Sequence, residues 1–175
     1  MTVQEKFQYY WKRKTICALD LVYADGKVVM FEENWCRKKY NILHRSTLET
    51  YDAGYPLFEE DSITIYNSVI NPLNGYKAYY GAGCMGGEGF VAYTDDKDKL
   101  LWSIFLDFSG PFFTPKIIDN NIITTTERDF IFTIPVNDPE QISCIPIHSW
   151  DIEYIKEKEE KYLLDNSMPT IKQEE

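Results

Sequence analysis

Hydrophobic and polar residues alternate with a period of two along much of this chain. The clearest case is residues 100–108, LLWSIFLDF, whose side chains divide between two faces: Trp102, Ile104, Leu106 and Phe108 on one, and Ser103, Phe105 and Asp107 on the other. Residues 128–136, RDFIFTIPV, give a second inward row of Phe130, Phe132, Ile134 and Val136. Such alternation predicts β-strands, and the two rows of large side chains predict a core in which they pack on each other.

Turn residues separate these strands and predict three antiparallel hairpins. Asp25-Gly26 follows ICALDLVY and precedes KVVMF, residues 94–99 separate FVAY from LLWSIFLDF, and residues 119–121 separate KII from IITTT. Asp-Gly and Asn-rich turns tolerate the positive φ angles of tight hairpins. We expect further strands at DSITIYNSVI and QISCIPI, and a loop at residues 71–75.

A helical pattern follows the strands. Ser149 or Asp151 provides a cap for a helix over residues 151–165, in which Ile152, Ile155, Tyr162 and Leu163 share a face. Residues 166–175 are expected to form a flexible acidic tail. Segments 4–14 and 34–45 fit neither period. The predicted class is mainly β (α+β): one domain over residues 1–165, built as a twisted antiparallel sheet, sandwich or barrel, with a C-terminal helix.

The charge is unevenly distributed along the 175 residues. The net charge of −10 comprises +4 over residues 1–45, −10 over residues 46–150 and −4 over residues 151–175. An acidic surface repels nucleic acid and anionic lipid and speeds encounter with a basic partner. The chain shows neither a signal peptide nor a spanning apolar run, so we expect no membrane association and a cytoplasmic location. The four widely spaced cysteines are expected to be buried core residues in that reducing compartment.

A glycine cluster at residues 81–89 imitates a phosphate-binding loop. Gly81, Gly83 and Gly86 have the GxGxxG spacing, but a strand follows them where a dinucleotide site needs a helix N-terminus. We therefore interpret the cluster as a tight crossing where two backbones approach closely.

Candidate catalytic, calcium and nucleic-acid sites have even less support in the sequence. His44 and His148 lie in no nucleophile motif, and the Asp95–Asp98 turn lacks the glycine and bidentate Glu of a calcium loop. The basic, aromatic segment 35–40 is a single patch on an acidic protein, which disfavours nucleic-acid binding. The sequence predicts no catalytic residue, no metal site and no cofactor.

The stretch MGGEGFVAYTDDKDKLLWSIFLDFSGPF, followed by TTERDFIFTIPVNDPEQI, resembles small cytosolic immunity proteins of bacterial polymorphic toxin and contact-dependent inhibition systems. The shared features are the glycines leading to Phe90, the strand with Trp102, the exit at residues 107–112 and the phenylalanine strand ending at Pro135. The resemblance covers about residues 84–142. It implies a non-catalytic protein that binds a cognate toxin domain, often a nuclease, and covers its cationic active site.

No contact residue follows from this resemblance, so the toxin-binding residues are chosen by charge and expected exposure. They are Glu59, Glu60, Asp61, Glu88, Asp95, Asp96, Asp98 and Asp107. The alternative function is a small enzyme or ligand-binding β-domain with an aromatic pocket lined by Trp35, Tyr79, Tyr80 and Trp102. A filled interior counts against that alternative.

Overall fold

A computed structural model describes residues 1–32, 40–50 and 60–147 of the chain. They are mainly β, as predicted. Helix α1 spans Val3–Lys12 and a short 3₁₀ turn, η1, spans Pro139–Gln141. The strands are β1 Thr15–Cys17, β2 Leu21–Tyr23, β3 Lys27–Phe31, β4 Ile42–Thr47, β5 Glu60–Ser62, β6 Thr64–Ile70, β7 Lys77–Ala82, β8 Gly89–Thr94, β9 Leu100–Leu106, β10 Phe112–Ile118, β11 Asn121–Thr126, β12 Phe130–Pro135 and β13 Ser143–Pro146.

Two antiparallel sheets form a sandwich. The larger has seven strands in the order β4-β3-β2-β9-β8-β7-β6, and the smaller has four in the order β10-β11-β12-β13. In the larger sheet β2 pairs with β9, and Leu21 lies opposite Ile104. Among the described strands, β4 and β6 remain at opposite edges, so the predicted choice between sandwich and barrel is settled in favour of the open sandwich.

The three predicted hairpins are confirmed. They are β2–β3, β8–β9 and β10–β11, each antiparallel. The prediction of one strand over ICALDLVY is wrong, because the chain forms β1, bends, and then forms β2. At the bend the Asp20 carboxylate accepts the Phe31 N–H at 2.7 Å and its carbonyl accepts the Phe105 N–H. These bonds attach the bend to the seven-stranded sheet, while β1 pairs with β5 in a separate two-stranded sheet.

The main core lies between the two large sheets, where the two predicted rows meet. Trp102, Ile104 and Leu106 from β9 join Phe130, Phe132, Ile134 and Val136 in one buried cluster. Trp102 stacks on Tyr93 with ring centroids 5.3 Å apart, and its Nε1 donates to the Val136 carbonyl across the sandwich at 3.2 Å. The central strand predicted from LLWSIFLDF is thus confirmed.

Helix α1 covers the opposite face of the larger sheet, where it buries Phe7 and Trp11 in a second core. Its N-terminus carries a capping box, in which Thr2 and Glu5 satisfy each other's backbone N–H groups. Gln8 fixes the helix to β9, since its Nε2 donates to the Leu100 carbonyl at 2.7 Å and its Oε1 accepts the Leu100 N–H at 3.0 Å. Segment 4–14, left unassigned by periodicity, is therefore largely helical.

The glycine cluster is the close crossing that the sequence predicted. A Cβ on Gly81 would lie 1.9 Å from the Thr64 carbonyl oxygen of β6, and a Cβ on Gly89 would lie 2.2 Å from the Gly110 carbonyl oxygen. The cluster leads from β7 into β8, with a turn between them. No space for a side chain exists at these two crossings. The predicted helix over residues 151–165 and the tail over residues 166–175 lie outside the described residues.

Candidate functional site

The predicted acidic residues of the central hairpin lie at its two opposite ends. Glu88 directly precedes β8 and Asp107 directly follows β9, so these two share one end. Asp95, Asp96 and Asp98 occupy the turn at the other end. Because β8 has six residues and a strand rises about 3.3 Å per residue, the two groups lie about 20 Å apart. They form two separate groups.

The group at the hairpin turn is engaged in holding the fold. The Asp95 carboxylate accepts the N–H groups of Lys97 and Lys99, each at 2.9 Å. The Asp98 carboxylate accepts from Lys77 Nζ at 2.8 Å and from the Tyr79 hydroxyl at 2.6 Å. The Lys77 hydrogen bond, followed by that from Tyr79, lowers the pKa of Asp98 below its usual value.

The charges at this turn also balance. The three carboxylates of Asp95, Asp96 and Asp98 are matched by the ammonium groups of Lys77, Lys97 and Lys99. The formal charge of the turn and its lysines is therefore zero, and the role of Asp95, Asp96 and Asp98 in toxin binding stays a prediction.

Three turns converge at the other end of the sandwich, and we call them together the glycine-turn end: residues 83–88, 107–111 and 127–129. The Gly110 N–H donates to the Gly87 carbonyl at 3.1 Å, which joins the first two turns. The Glu127 N–H donates to the Pro111 carbonyl at 3.2 Å, which joins the second to the third. The convergence places residues from distant parts of the sequence on one surface.

The glycine-turn end is acidic. It holds the carboxylates of Glu88, Asp107, Glu127 and Asp129 against the guanidinium of Arg128, a formal charge of −3. Glu88 is half-buried and the other three are exposed. One carboxylate oxygen of Glu88 is shielded from solvent and has no hydrogen-bond partner among the described residues. Met85, 82% exposed, lies at the tip of the first turn.

Of the predicted site residues that the structure describes, Glu88 and Asp107 belong to this surface. Sequence reasoning missed Glu127 and Asp129, although the three polar residues between IITTT and FIFTIPV are a turn signal that could have located them. Glu60 and Asp61 lie in β5, where their backbones pair with Cys17 and Ile16. Glu59 lies outside the described residues.

A buried carboxylate at Glu140 forms the second polar cluster that the sequence did not reveal. Its side chain is 10% exposed and contacts three residues of the larger sheet. Arg45 donates to Oε2 at 2.8 Å, while Lys27 Nζ and the Tyr23 hydroxyl donate to Oε1. Since Glu140 follows β12, the cluster connects the two sheets. Its members are up to 117 positions apart, so no local pattern joins them.

The Glu140 cluster is unsuited to proton transfer near neutral pH. Burial raises the pKa of Glu140, but the hydrogen bonds from Lys27 and Arg45 outweigh burial and hold it below its usual value. Burial, and then the adjacent Glu140 charge, raises the pKa of Tyr23 well above its usual range. A general acid or base works best with a pKa near the operating pH. The cluster is therefore interpreted as a structural link.

The aromatic residues suggested for a ligand pocket do not converge. Tyr79 packs against the helix-side core, whereas Tyr80 and Trp102 pack against the core between the sheets. Trp102 is 4% exposed and fills that core. Trp35 lies outside the described residues. This geometry counts against a pocket built from these side chains.

The cysteines differ from expectation in two respects, the exposure of Cys84 and the disulfide at Cys144. Cys17 and Cys144 are buried, as predicted, and Cys84 is exposed. Cys144 is disulfide-bonded, which the expectation of reduced core cysteines did not include. Within the described ranges, no three His, Cys, Asp or Glu side chains form a group suited to a metal ion.

Comparison of the chain with protein-family models, curated proteins and solved structures finds no match. None of the described helices has the length and apolar character needed to cross a membrane.

Proposed function

We propose that this protein is a non-catalytic immunity protein that binds a cognate toxin domain, a nuclease, and neutralises it by covering its cationic active site. The observation that carries the proposal is the glycine-turn end, where three turns joined by backbone hydrogen bonds bring four carboxylates and one arginine onto one surface. A nuclease cleft attracts the phosphate backbone with cations, and an anionic protein surface can occupy the same place.

The resemblance to immunity proteins falls on the same part of the molecule. Residues 84–142 run from the turn after β7 to η1. They include nearly all of the glycine-turn end.

We place the protein in the cytoplasm, where a nuclease toxin meets its substrate. The disulfide at Cys144 bears on this proposal, because disulfides persist mainly in oxidising compartments. The thiol state of the protein in its native cells therefore tests the location separately from the function.

Co-expression with the toxin domain encoded beside this chain tests the function. The toxin should arrest growth, and this protein should restore it through a one-to-one complex that weakens as salt rises. Asp107→Asn combined with Glu127→Gln should weaken the complex, whereas Asp96→Asn, at the charge-balanced hairpin turn, should not. Growth arrest that proceeds unchanged in the presence of the wild-type protein would falsify the proposal.

A further inference from the structure

The outer face of the four-stranded sheet carries a row of side chains in register across all its strands, apolar except for Thr125 on β11. Phe113 lies opposite Thr125, Thr125 opposite Ile131, and Ile131 opposite Ile145. Tyr66, on the edge strand β6 of the other sheet, extends the row, because its ring stacks on that of Phe113 with centroids 5.6 Å apart. The row spans the whole width of the sheet.

This row serves neither core of the protein. Within the part of the chain that the structure describes, Tyr66, Phe113, Ile131 and Ile145 belong to neither buried cluster. Tyr66 is 45% exposed and Ile145 is 50% exposed, so the ends of the row face solvent. Exposed apolar side chains that are contiguous and bordered by polar residues mark sites of protein association.

The border of the row at the glycine-turn end is acidic, which indicates the charge of the partner at that border. Glu127 and Asp129 lie in the turn between β11 and β12, two residues after Thr125 and two residues before Ile131, and both are exposed. The row therefore abuts the glycine-turn end, with its formal charge of −3. A partner that covers the row meets these carboxylates at the rim, and charge complementarity requires it to be basic there.

Strand addition is an unsuitable way to dock on this side of the molecule. Pro115 lies in the edge strand β10 and has no N–H to donate, and the register of β10 shifts between Phe113 and Lys116. On β6 the Ser68 N–H is already bonded to the Asn67 side chain at 2.8 Å. At these two edges a partner consequently binds through side chains.

We propose that the outer face of the four-stranded sheet is the docking surface for a basic protein domain, with the Tyr66–Ile145 row as its apolar centre and the glycine-turn end as its acidic rim. This inference rests on the proposed function and deepens it. Affinity comes mainly from the desolvated aromatic and aliphatic centre, while the acidic rim speeds and orients association.

The test measures binding of the adjacently encoded toxin domain to matched variants. Tyr66→Ala and Ile145→Lys should each weaken binding at least about 30-fold, which corresponds to a hot-spot loss of about 2 kcal/mol. Leu73→Lys is the control, since Leu73 is 69% exposed but lies in the loop before β7, at the opposite end of the molecule. Glu127→Gln combined with Asp129→Asn should mainly lower the association rate and its salt dependence. Circular dichroism confirms that each variant is folded.

The outcomes separate the two proposals. If the wild-type protein does not bind the toxin domain, the proposed function fails and this inference fails with it. If the wild-type protein binds and Tyr66→Ala and Ile145→Lys bind equally well, the function stands and the docking surface is wrong. If sedimentation shows a dimer that Ile145→Lys converts to a monomer, the face belongs to a second copy of this chain and the basic-partner assignment is overturned.

Discussion

Replacing Gly81 by alanine tests the close crossing of β6 and β7. An added Cβ would lie 1.9 Å from the Thr64 carbonyl oxygen and 3.0 Å from the edge of the Phe90 ring. Real Cβ atoms do not come closer than 3.0 Å to such neighbours, so β6 would have to move by about 1.1 Å. The obstructing atom is backbone and cannot rotate away. The pairing of Ile65 with Gly81 would be strained directly.

The expected loss of stability is about 3 kcal/mol. Overpacking a filled site costs about 1–3 kcal/mol, and a clash with backbone belongs at the upper end of that range. For a chain of 175 residues, each kcal/mol corresponds to about 2–4 °C, so the melting temperature should fall by about 6–12 °C. The matched control is Gly87→Ala, where a Cβ meets nothing within 4 Å. That variant should be neutral or stabilised by up to about 1 kcal/mol.

Urea unfolding followed by circular dichroism gives the free energy of unfolding of both variants, and thermal unfolding gives their melting temperatures. If the free energies of unfolding of Gly81→Ala and Gly87→Ala differ by less than about 0.5 kcal/mol, which is the error of such comparisons, the added Cβ does not clash with β6. A normal stability for Gly81→Ala would mean that β6 is free to shift away from β7.

Three further predictions concern other parts of the molecule. The folded-state pKa of Glu140 is lowered from 4.5, so the stabilisation by its carboxylate is present above that value and is lost as pH falls through the folded pKa. Glu140→Gln should therefore lower the stability of the protein at neutral pH and flatten the decline of stability in acid. A urea midpoint whose pH dependence is the same in the variant and the wild type would contradict this. Gln8→Leu removes both hydrogen bonds to the Leu100 backbone and should lower the free energy of unfolding by about 1–3 kcal/mol. The control is Gln4→Leu, an exposed position on the same helix, which should lower it by less than about 0.5 kcal/mol. Equal losses in chemical denaturation would show that the Gln8 hydrogen bonds contribute nothing specific. Because Cys144 is disulfide-bonded, alkylation of the denatured, unreduced protein should modify two of the four cysteines, and mass spectrometry showing four modified cysteines would refute the disulfide.

The strands and hairpins could be predicted because their causes are local. The alternation in residues 100–108 fixes which side chains of β9 face the sandwich core, and Asp25-Gly26 supplies the backbone conformation of its turn, with Gly26 at φ 91°. The order of strands is not local. Neither the pairing of β2 with β9 nor the separation of β1 into its own sheet leaves a pattern in the nearby sequence.

Helix α1 was missed although its signal was present. Thr2 and Glu5 have the spacing of a capping box, but the basic and aromatic residues that follow obscured the helical period. The candidate site was predicted only in part for a different reason. Charge alone does not distinguish two kinds of acidic residue. Asp95 is bonded within its own turn and Asp98 is bonded to Lys77 and Tyr79 of the neighbouring strand β7. Glu127 and Asp129 are instead brought near Glu88 by the folding of three separate turns.

The pairing of β2 with β9 determines the order in which the protein can be completed during synthesis. Leu21 of β2 pairs with Ile104 of β9, which lies 83 residues later in the chain. Until β9 leaves the ribosome, one edge of β2 has no partner strand. The strands from β6 to β9 follow one another and pair as neighbours, so they close short loops and form quickly. We expect the β2–β3 hairpin to join this sheet only after these strands have paired. A nascent chain arrested before residue 100 would leave β2 without its partner β9, and an unpaired strand edge of this kind favours aggregation.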